Sequence, residues 1–183
     1  ERAINLINKM LVVTRIESGK MEYDLAFIHV EDLIDSALLD FTGYARTHTI
    51  TLAFEKPNER LPYIHVDPEK IRAVISNLVE NALSYTADGG VVTLSATAEH
   101  NFIKISVKDN GIGIPAHQQT GIFHKFFRAD NAAKVKTDGS GLGLFVAKSI
   151  VDTHGGDIGF ESKEHVGSTF YFTVPIASDT QVV

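Results

Sequence analysis

The sequence predicts an α+β sandwich of two layers, in which a mixed, largely antiparallel sheet carries helices on one face. The first observation is the order of the elements after an N-terminal helix: helix, strand, strand, helix, hairpin, loop, helix, hairpin. The second is that strands do not alternate singly with helices, which argues against a doubly wound parallel sheet. The third is the segment 102–108, where Ile103, Ile105 and Val107 alternate with polar residues, as in a half-buried antiparallel strand.

The composition of the chain excludes several classes of protein. Its 183 residues are 44% hydrophobic, with no apolar run long enough to span a membrane and no signal peptide. The net charge of −6 argues against a nucleic-acid surface, which needs a basic patch. The absence of cysteine excludes disulfides and thiolate metal sites. Because Glu1 falls inside a helical pattern, we expect the chain to be part of a longer protein.

The first part of the chain begins with a helix over residues 1–18, which Gly19 ends. Its apolar stripe has to pack on a partner helix, on another subunit or on the domain that follows. The stripe consists of Ile4, Ile7 and Leu11, with Met10 beside them. The next predicted elements are a connector (20–30), a helix (31–47) and strands at 49–54 and 63–66.

The longest helix, residues 67–85, carries the first candidate functional residues. Asp67 suits the N-cap, and Pro68 suits the first helical position. One face is apolar at helical spacing and is predicted to be core. Asn77, Asn81 and Ser84 form a second stripe at the edge of that face. Buried carboxamides need partners, which either a neighbouring loop or a ligand would supply.

Two hairpins, a lid-like segment and one more helix complete the chain. Residues 116–128 are predicted to form one or two short helices with hydrophobic anchors. Residues 129–139 lack apolar periodicity and predict a mobile loop. The hydrophobic anchors of residues 116–128 are Ile122, Phe123, Phe126 and Phe127. The remaining predicted elements are strands at 91–98 and 102–108, a helix reaching about residue 154, strands at 157–162 and 168–174, and a tail at 178–183.

A glycine-rich stretch immediately precedes the last helix. Gly139, Gly141 and Gly143 would let backbone N–H groups approach a phosphate, and the helix N-terminus adds favourable partial charge. The stretch lacks the Gly-Lys-Ser/Thr ending of a Walker loop. A tight turn is the structural alternative.

A carboxylate, Asp109, ends the strand 102–108 and precedes two more glycines, Gly111 and Gly113. Such a carboxylate can accept a hydrogen bond from an amino group such as N6 of adenine, and the glycines leave room for the ring. A capped turn is the simpler alternative. Together with amides for a cation and glycines for phosphates, Asp109 completes the three parts of an adenine nucleotide site. Oxygen ligands of this kind, combined with nucleotide phosphates, suit Mg²⁺.

Five stretches resemble the N, G1, F, G2 and final boxes of bacterial sensor histidine kinases, and their order and spacing also agree over about residues 49–176. They are NLVENALSYT (77–86), DNGIGIP (109–115), IFHKFFRAD (122–130), GSGLGLFVAKSIVDTHGG (139–156) and GSTFYFTVP (167–175). The resemblance implies a catalytic, ATP-binding domain with the Bergerat fold, a two-layer α/β sandwich, over residues 21–177. Residues 1–20 resemble the second helix of a dimerisation and phosphotransfer bundle.

The resemblance implies roles for residues of the first two boxes. Asn81, supported by Asn77, would hold Mg²⁺ against the triphosphate of ATP. Asp109 would bind the adenine amino group, with Gly111 and Gly113 shaping the pocket. Tyr85 would line the nucleotide. No residue is assigned as a general base, although Glu80 is a candidate.

The later boxes would hold the phosphates under a lid formed by residues 121–140, which Phe123 and Phe127 would anchor. The residues implied at the phosphates are Gly139, Gly141, Leu142 and Gly143. A cation of the lid would reach the phosphates or the acceptor helix, and the choice is open among Arg128, Lys134 and Lys136.

The reaction implied is transfer of the γ-phosphoryl group of ATP to a histidine on an upstream helix. None of the eight histidines of this chain has the required His-Glu/Asp setting followed by proline. They are His29, His48, His65, His100, His117, His124, His154 and His165. The resemblance further implies a homodimeric parent protein, a response regulator receiver domain as partner, and a cytoplasmic position for this domain, with the parent often in a membrane.

Two departures from the family pattern bear on ATP binding. Ser84 stands where many members carry a Lys or Arg that helps hold phosphate oxygens, so a lid lysine would have to substitute. Asp138 adds a negative charge just before the glycines.

Two other functions compete with the kinase. A gyrase- or chaperone-type ATPase needs a Glu at the position of Asn77, since an amide cannot act as a base for water. A non-catalytic regulatory or dimerisation module would have lost nucleotide-binding residues that are present here, such as Asn81 and Asp109.

Overall fold

The computed structural model describes residues 2–136 and 139–178. Its helices are α1 (Arg2–Glu17), α2 (Val30–Leu39), α3 (Thr42–Thr47), α4 (Pro68–Tyr85), α5 (Asp130–Val135) and α6 (Gly143–Thr153). Its strands are β1 (Ala26–Ile28), β2 (Thr51–Glu55), β3 (Ile64–Val66), β4 (Val91–Glu99), β5 (Phe102–Asp109), β6 (Ile158–Lys163) and β7 (Gly167–Pro175). Among the described residues, every helix is too short or too polar to cross a bilayer.

The main sheet has five strands in the order β2-β4-β5-β7-β6. Only the β2–β4 pair is parallel, and the other pairs are antiparallel. One face is apolar and buried: Ile105 of β5 pairs with Phe172 of β7, and both are fully buried. Helices α4 and α6 pack on the sheet and on each other, and α2 packs on α4. The predicted two-layer α+β sandwich is confirmed.

Helix α4 forms as its sequence predicts. The Asp67 side chain accepts a hydrogen bond from the N–H of Lys70 at 3.0 Å, and Pro68 occupies the first turn, where no backbone donor is needed. Seven of its residues are buried, including Ile71, Ile75 and Leu78, so the apolar face is the centre of the core. The amide stripe is thereby fixed at the edge of the core.

The start of α4 is also a joint between three segments. The carboxylate of Asp67 accepts the N–H of Asp24 in the connector after α1 at 3.0 Å. The N–H of Asp67 donates to Nε2 of His154 at 3.0 Å, and Nδ1 of His154 lies 2.8 Å from the carbonyl oxygen of Ile150. The ring of Tyr23 meets the His154 ring edge-on. The connector, the start of α4 and the end of α6 therefore form one hydrogen-bonded unit.

Four expectations about local structure were wrong. The single helix expected over 31–47 is two helices, because the chain turns after Leu39. The connector contains β1, which pairs with β3 through long-range hydrogen bonds that have no signal in local sequence. The segment expected to be a mobile loop contains α5. Phe126, an expected anchor, is 59% exposed, whereas Ile122, Phe123 and Phe127 pack on the core.

Helix α1 keeps most of its predicted stripe in solvent. Ile7 and Leu11 are 56% and 54% exposed, and Met10 is also exposed. The side chain of Ile4 lies outside the described residues, as do Asp138 and residues 179–183. The helix contacts α6, buries Val13 and forms an ion pair from Glu17 to Lys125. The following domain therefore covers another side of the helix and leaves the stripe open.

Candidate functional site

A single cleft collects most of the predicted site residues. It lies between α4, the start of α6, the end of β5 and the segments 122–136 and 139–141, and it encloses about 1010 Å³ of space, part of it open to solvent. The predicted residues that line it are Asn77, Glu80, Asn81, Tyr85, Asp109, Gly113, Arg128, Lys136, Gly139, Gly141 and Gly143. Residues up to 66 positions apart in sequence, from Asn77 to Gly143, thus meet in one place.

Three predicted site residues do not line the cleft. Leu142 is fully buried beneath the glycine loop, and Lys134 is exposed on α5. Gly111 lies behind the cleft, where a side chain would collide with the carbonyl oxygen of Tyr85 at 2.2 Å. Gly111 therefore allows the turn after β5 to pack against the end of α4, a role that differs from leaving room for a ring.

The amide stripe of α4 forms one wall of the cleft. The Nδ2 group of Asn77 donates to the carbonyl of Ala73 at 3.1 Å, which leaves Oδ1 directed toward Gly143. A side chain at Gly143 would come within 2.7 Å of that oxygen, so the glycine keeps the amide accessible. Asn81 lies one turn further along the same wall. Two amide oxygens beside space for phosphates and water are a donor set that fits Mg²⁺.

Asp109 lies at the floor of the cleft and is only 8% exposed. Its Oδ1 accepts the N–H groups of Gly111 at 2.9 Å and Ser168 at 3.2 Å. Both bonds use the same oxygen, which leaves Oδ2 for a ligand. Burial raises the pKa of the carboxyl above its ordinary value, although the two backbone hydrogen bonds act in the opposite direction. The site thus presents a desolvated, fixed acceptor to a donor group.

The glycine loop packs against the segment that follows the 3-10 helix Ala116–Gly121. Gly141 has a φ of +68°, and an added side chain would meet the backbone of Phe126 at 2.6 Å. The N–H of Phe126 donates to the carbonyl of Gly141 at 2.9 Å. Gly143 then begins α6, and Gly143 and Leu144 line the cleft, so the N-terminus of the helix borders it.

The lid closes over this loop through side-chain contacts to backbone. Arg128 donates to the carbonyl of Lys136 and, at 3.4 Å, to that of Ala132, so its guanidinium holds the end of α5. Asn131 donates to the carbonyl of Gly113 at 2.9 Å and thereby ties α5 to the turn after β5. The Asn131 contact was not foreseen, because the segment gave no helical pattern.

Lys136 occupies the place beside Ser84. Its Nζ lies 2.9 Å from Oε1 of Glu80 and 3.2 Å from Oγ of Ser84, and the Lys136 side chain is 29% exposed. Lys136, one of the three candidate cations of the lid, thus reaches α4. Arg128 also lines the cleft, and Lys134 does not.

Apolar lining residues were also missed by sequence reasoning. Ile112, Ile114, Ile122 and Phe170 line the cleft, and the N–H of Ser168 positions Asp109. Phe170 lies on β7 and is 8% exposed, but a strand pattern in the sequence cannot distinguish a core position from a position in the cleft. None of the eight histidines lines the cleft in the part of the chain that the structure describes.

Comparison with known proteins identifies the domain. The family model described as "Histidine kinase-, DNA gyrase B-, and HSP90-like ATPase" matches residues 66–178. The sensor histidine kinase WalK of Bacillus subtilis is 35% identical over 183 residues, which cover 99% of this chain and 30% of WalK. The chain therefore spans less than a third of that curated relative.

Solved structures agree in fold with nearly the whole chain. Full-length ShkA in complex with AMPPNP superposes with a TM-score of 0.84 and 28% identity, over 96% of this chain and 36% of that one. The histidine kinase ThkA in complex with the response regulator protein TrrA gives a TM-score of 0.74 and 26% identity, over 96% of this chain and 49% of that one. The chain belongs to the histidine kinase-, DNA gyrase B- and HSP90-like ATPase family, and it contains the ATP-binding catalytic domain of a sensor histidine kinase.

Proposed function

We propose that this domain positions ATP·Mg²⁺ for transfer of the γ-phosphoryl group to a histidine on an upstream helix that this chain does not contain. The observation that carries the proposal is the single cleft in which the amides of α4, the buried Asp109 and the glycine loop face one another. The acceptor imidazole forms the new N–P bond, the bond between the γ-phosphorus and the bridging oxygen breaks, and ADP leaves. The domain contributes positioning and charge stabilisation to this reaction.

Each part of the cleft has a role in this proposal. Asn81 and Asn77 hold Mg²⁺, which would neutralise charge on the phosphate oxygens. Oδ2 of Asp109 accepts the adenine amino group, and Gly113 and Tyr85 border the base. The N–H groups at Gly139, Gly141 and Gly143 bind phosphates.

Two observations support the proposed partners, one on the surface of α1 and one from a relative. We infer that the exposed stripe of α1, with Ile7 and Leu11 in solvent, pairs with helices of a homodimeric bundle that carries the acceptor histidine. ThkA has been solved with a response regulator, which supports a receiver domain as the next phosphate acceptor. The proposed division is residues 1–20 for the bundle helix and 21–177 for the catalytic domain. The proposed location of the domain is the cytoplasm.

A hydrolytic ATPase of the gyrase or chaperone type is disfavoured by one observation. Asn77 stands on the cleft wall where such an enzyme needs a base for water, and its Nδ2 is already bonded to Ala73. Glu80, the neighbouring acid, forms an ion pair with Lys136. A non-catalytic module is disfavoured because the cleft contains the amides, Asp109 and the glycines together.

Binding and transfer are tested separately. Calorimetry should show binding of ADP and of a non-hydrolysable ATP analogue with Mg²⁺, and no binding at millimolar nucleotide would overturn the proposal. Incubation with γ-labelled ATP should leave this chain unlabelled and label an added helical bundle that contains the acceptor histidine. Acid-labile label on residues 1–183 alone would show that the acceptor was wrongly placed.

A further inference from the structure

The cleft has two cationic side chains in its described lining, Arg128 and Lys136. The guanidinium of Arg128 donates hydrogen bonds to the carbonyls of Ala132 and Lys136, so it stabilises the backbone of the lid. The ammonium of Lys136 instead contacts two side chains, Glu80 and Ser84, on the wall that carries the amides. Lys136 is therefore the cation whose position can change without unfolding the lid.

The ion pair between Lys136 and Glu80 is weak. The Glu80 side chain is 50% exposed. An ion pair with a carboxylate as exposed as this contributes about 1 kcal/mol or less to stability. Ser84 contributes a neutral hydroxyl at 3.2 Å. A triphosphate in the same cleft offers several anionic oxygens, so the ammonium can form more than one charge-assisted hydrogen bond there in place of the single pair with Glu80.

Helical geometry places the carboxylate of Glu80 on the same wall of the cleft as the amides of Asn77 and Asn81. Asn77, Asn81 and Ser84 follow one another on one stripe of α4, and Glu80 borders it. The ammonium of Lys136, within 3.2 Å of Ser84, thus lies about one helical turn from Asn81. A phosphate bound near Asn81 and the carboxylate of Glu80 therefore compete for the same ammonium.

We propose that Lys136 exchanges Glu80 for the terminal phosphate of ATP, so that Glu80 weakens ATP binding and Lys136 links the occupied cleft to the closed lid. This inference rests on the proposed function and deepens it. The exchange makes the site prefer a nucleoside triphosphate over the monophosphate. Because Arg128 holds the backbone of Lys136, the same contact fastens the end of α5 over the cleft.

The first test compares Lys136→Gln with Lys134→Gln, since Lys134 is an exposed lysine at the end of α5, two residues before Lys136, and does not line the cleft. Calorimetry with a non-hydrolysable ATP analogue and with AMP gives the readout. For Lys136→Gln we expect affinity for the analogue to fall on the order of 10-fold and affinity for AMP to stay within about twofold. Lys134→Gln should leave both unchanged.

A rescue distinguishes a charge from a structural role. In the Lys136→Gln background, Ser84→Lys places an ammonium on α4 where the lid lysine now lies, and it should restore preference for the triphosphate. Equal affinities of the wild type and Lys136→Gln for the ATP analogue would overturn the inference. If the wild type bound neither nucleotide, the proposed function itself would fail, so the two failures are distinguishable.

The competition is tested with a double-mutant cycle. Glu80→Gln should tighten binding of the ATP analogue by about threefold, because the ion pair no longer has to break. In the Lys136→Gln background, Glu80→Gln should increase the affinity for the ATP analogue by a smaller factor. An equal gain in both backgrounds would show simple charge repulsion by Glu80 and refute the exchange.

Discussion

Asp109→Asn separates recognition of the base from folding. The asparagine has nearly the same shape, and its oxygen can still accept the N–H groups of Gly111 and Ser168. The other position of the side chain changes from an acceptor to an amide donor. That donor would face the amino group of adenine, which is also a donor, so a hydrogen bond to a charged acceptor becomes a repulsive contact.

The magnitude follows from the burial and charge of this carboxylate. A hydrogen bond to a charged group contributes about 1.5–3 kcal/mol, which corresponds to a loss of roughly 10- to 150-fold in nucleotide affinity. Folding should not suffer in the same way. Burial raises the pKa of Asp109, so its contribution to stability is complete below the unfolded-state pKa and is lost as pH rises through the folded-state pKa. At pH 7 the neutral asparagine should therefore melt at the same temperature or higher.

The assay is calorimetry with ADP over a series of pH values, together with thermal melting. Wild-type affinity should fall as pH decreases through the raised pKa, because the protonated carboxyl no longer offers a full acceptor. Asp109→Asn should remove that pH dependence. Asp152→Asn on α6 is the control, since Asp152 pairs with Lys148 and does not line the cleft. Equal ADP affinity in Asp109→Asn and the wild type would refute the assignment of Asp109 to the base.

Three further outcomes are expected. Gly141→Ala should lower the melting temperature and weaken ATP binding, since positive φ costs a side chain about 1–2 kcal/mol; Gly43→Ala, with open space around it, should be neutral or stabilising. Asp67→Ala should cost about 1 kcal/mol in urea unfolding at pH 7. Desolvation raises the pKa of Asp67, but hydrogen bonds outweigh it and lower the pKa, so this cost should vanish as pH falls through the folded-state pKa. Asn81→Ala should reduce the dependence of calorimetric ADP affinity on Mg²⁺, because Asn77 alone remains as an amide ligand.

Local signals predicted the parts of the fold that depend on local chemistry. The cap at Asp67 and Pro68 fixed the start of α4, and the alternation from Ile103 to Val107 identified the buried face of β5. The amides at the edge of α4, the carboxylate after β5 and the glycines before α6 were therefore placed on the correct elements. Their meeting in one cleft followed from the family resemblance, because spacing along the chain carries no information about contacts between elements.

The parts that were missed depend on partners distant in sequence. Strand β1 has three residues, and it is a strand because β3, almost 40 residues later, supplies its hydrogen bonds. Helix α5 has six residues and no buried side chain, so no apolar periodicity marks it. The contact of Lys136 with Glu80 spans 56 positions and joins a partly buried ammonium to a half-exposed carboxylate. Nothing in the local sequence around Lys136 indicates this contact, because its partner lies on a different element.

The hydrogen bonds of Asp67 connect the N-terminus of α4 to the connector and to the end of α6. The 18 residues of α4 extend roughly 27 Å from the joint at about 1.5 Å per residue. A rotation of about 5° at Asp67 is enough to displace the far end of the helix by roughly 2 Å. Asn77, Asn81 and Tyr85 lie on that far half. Since the N–H of Asp24 in the connector donates to the carboxylate of Asp67, a displacement of α1 would reach α4 at this joint first.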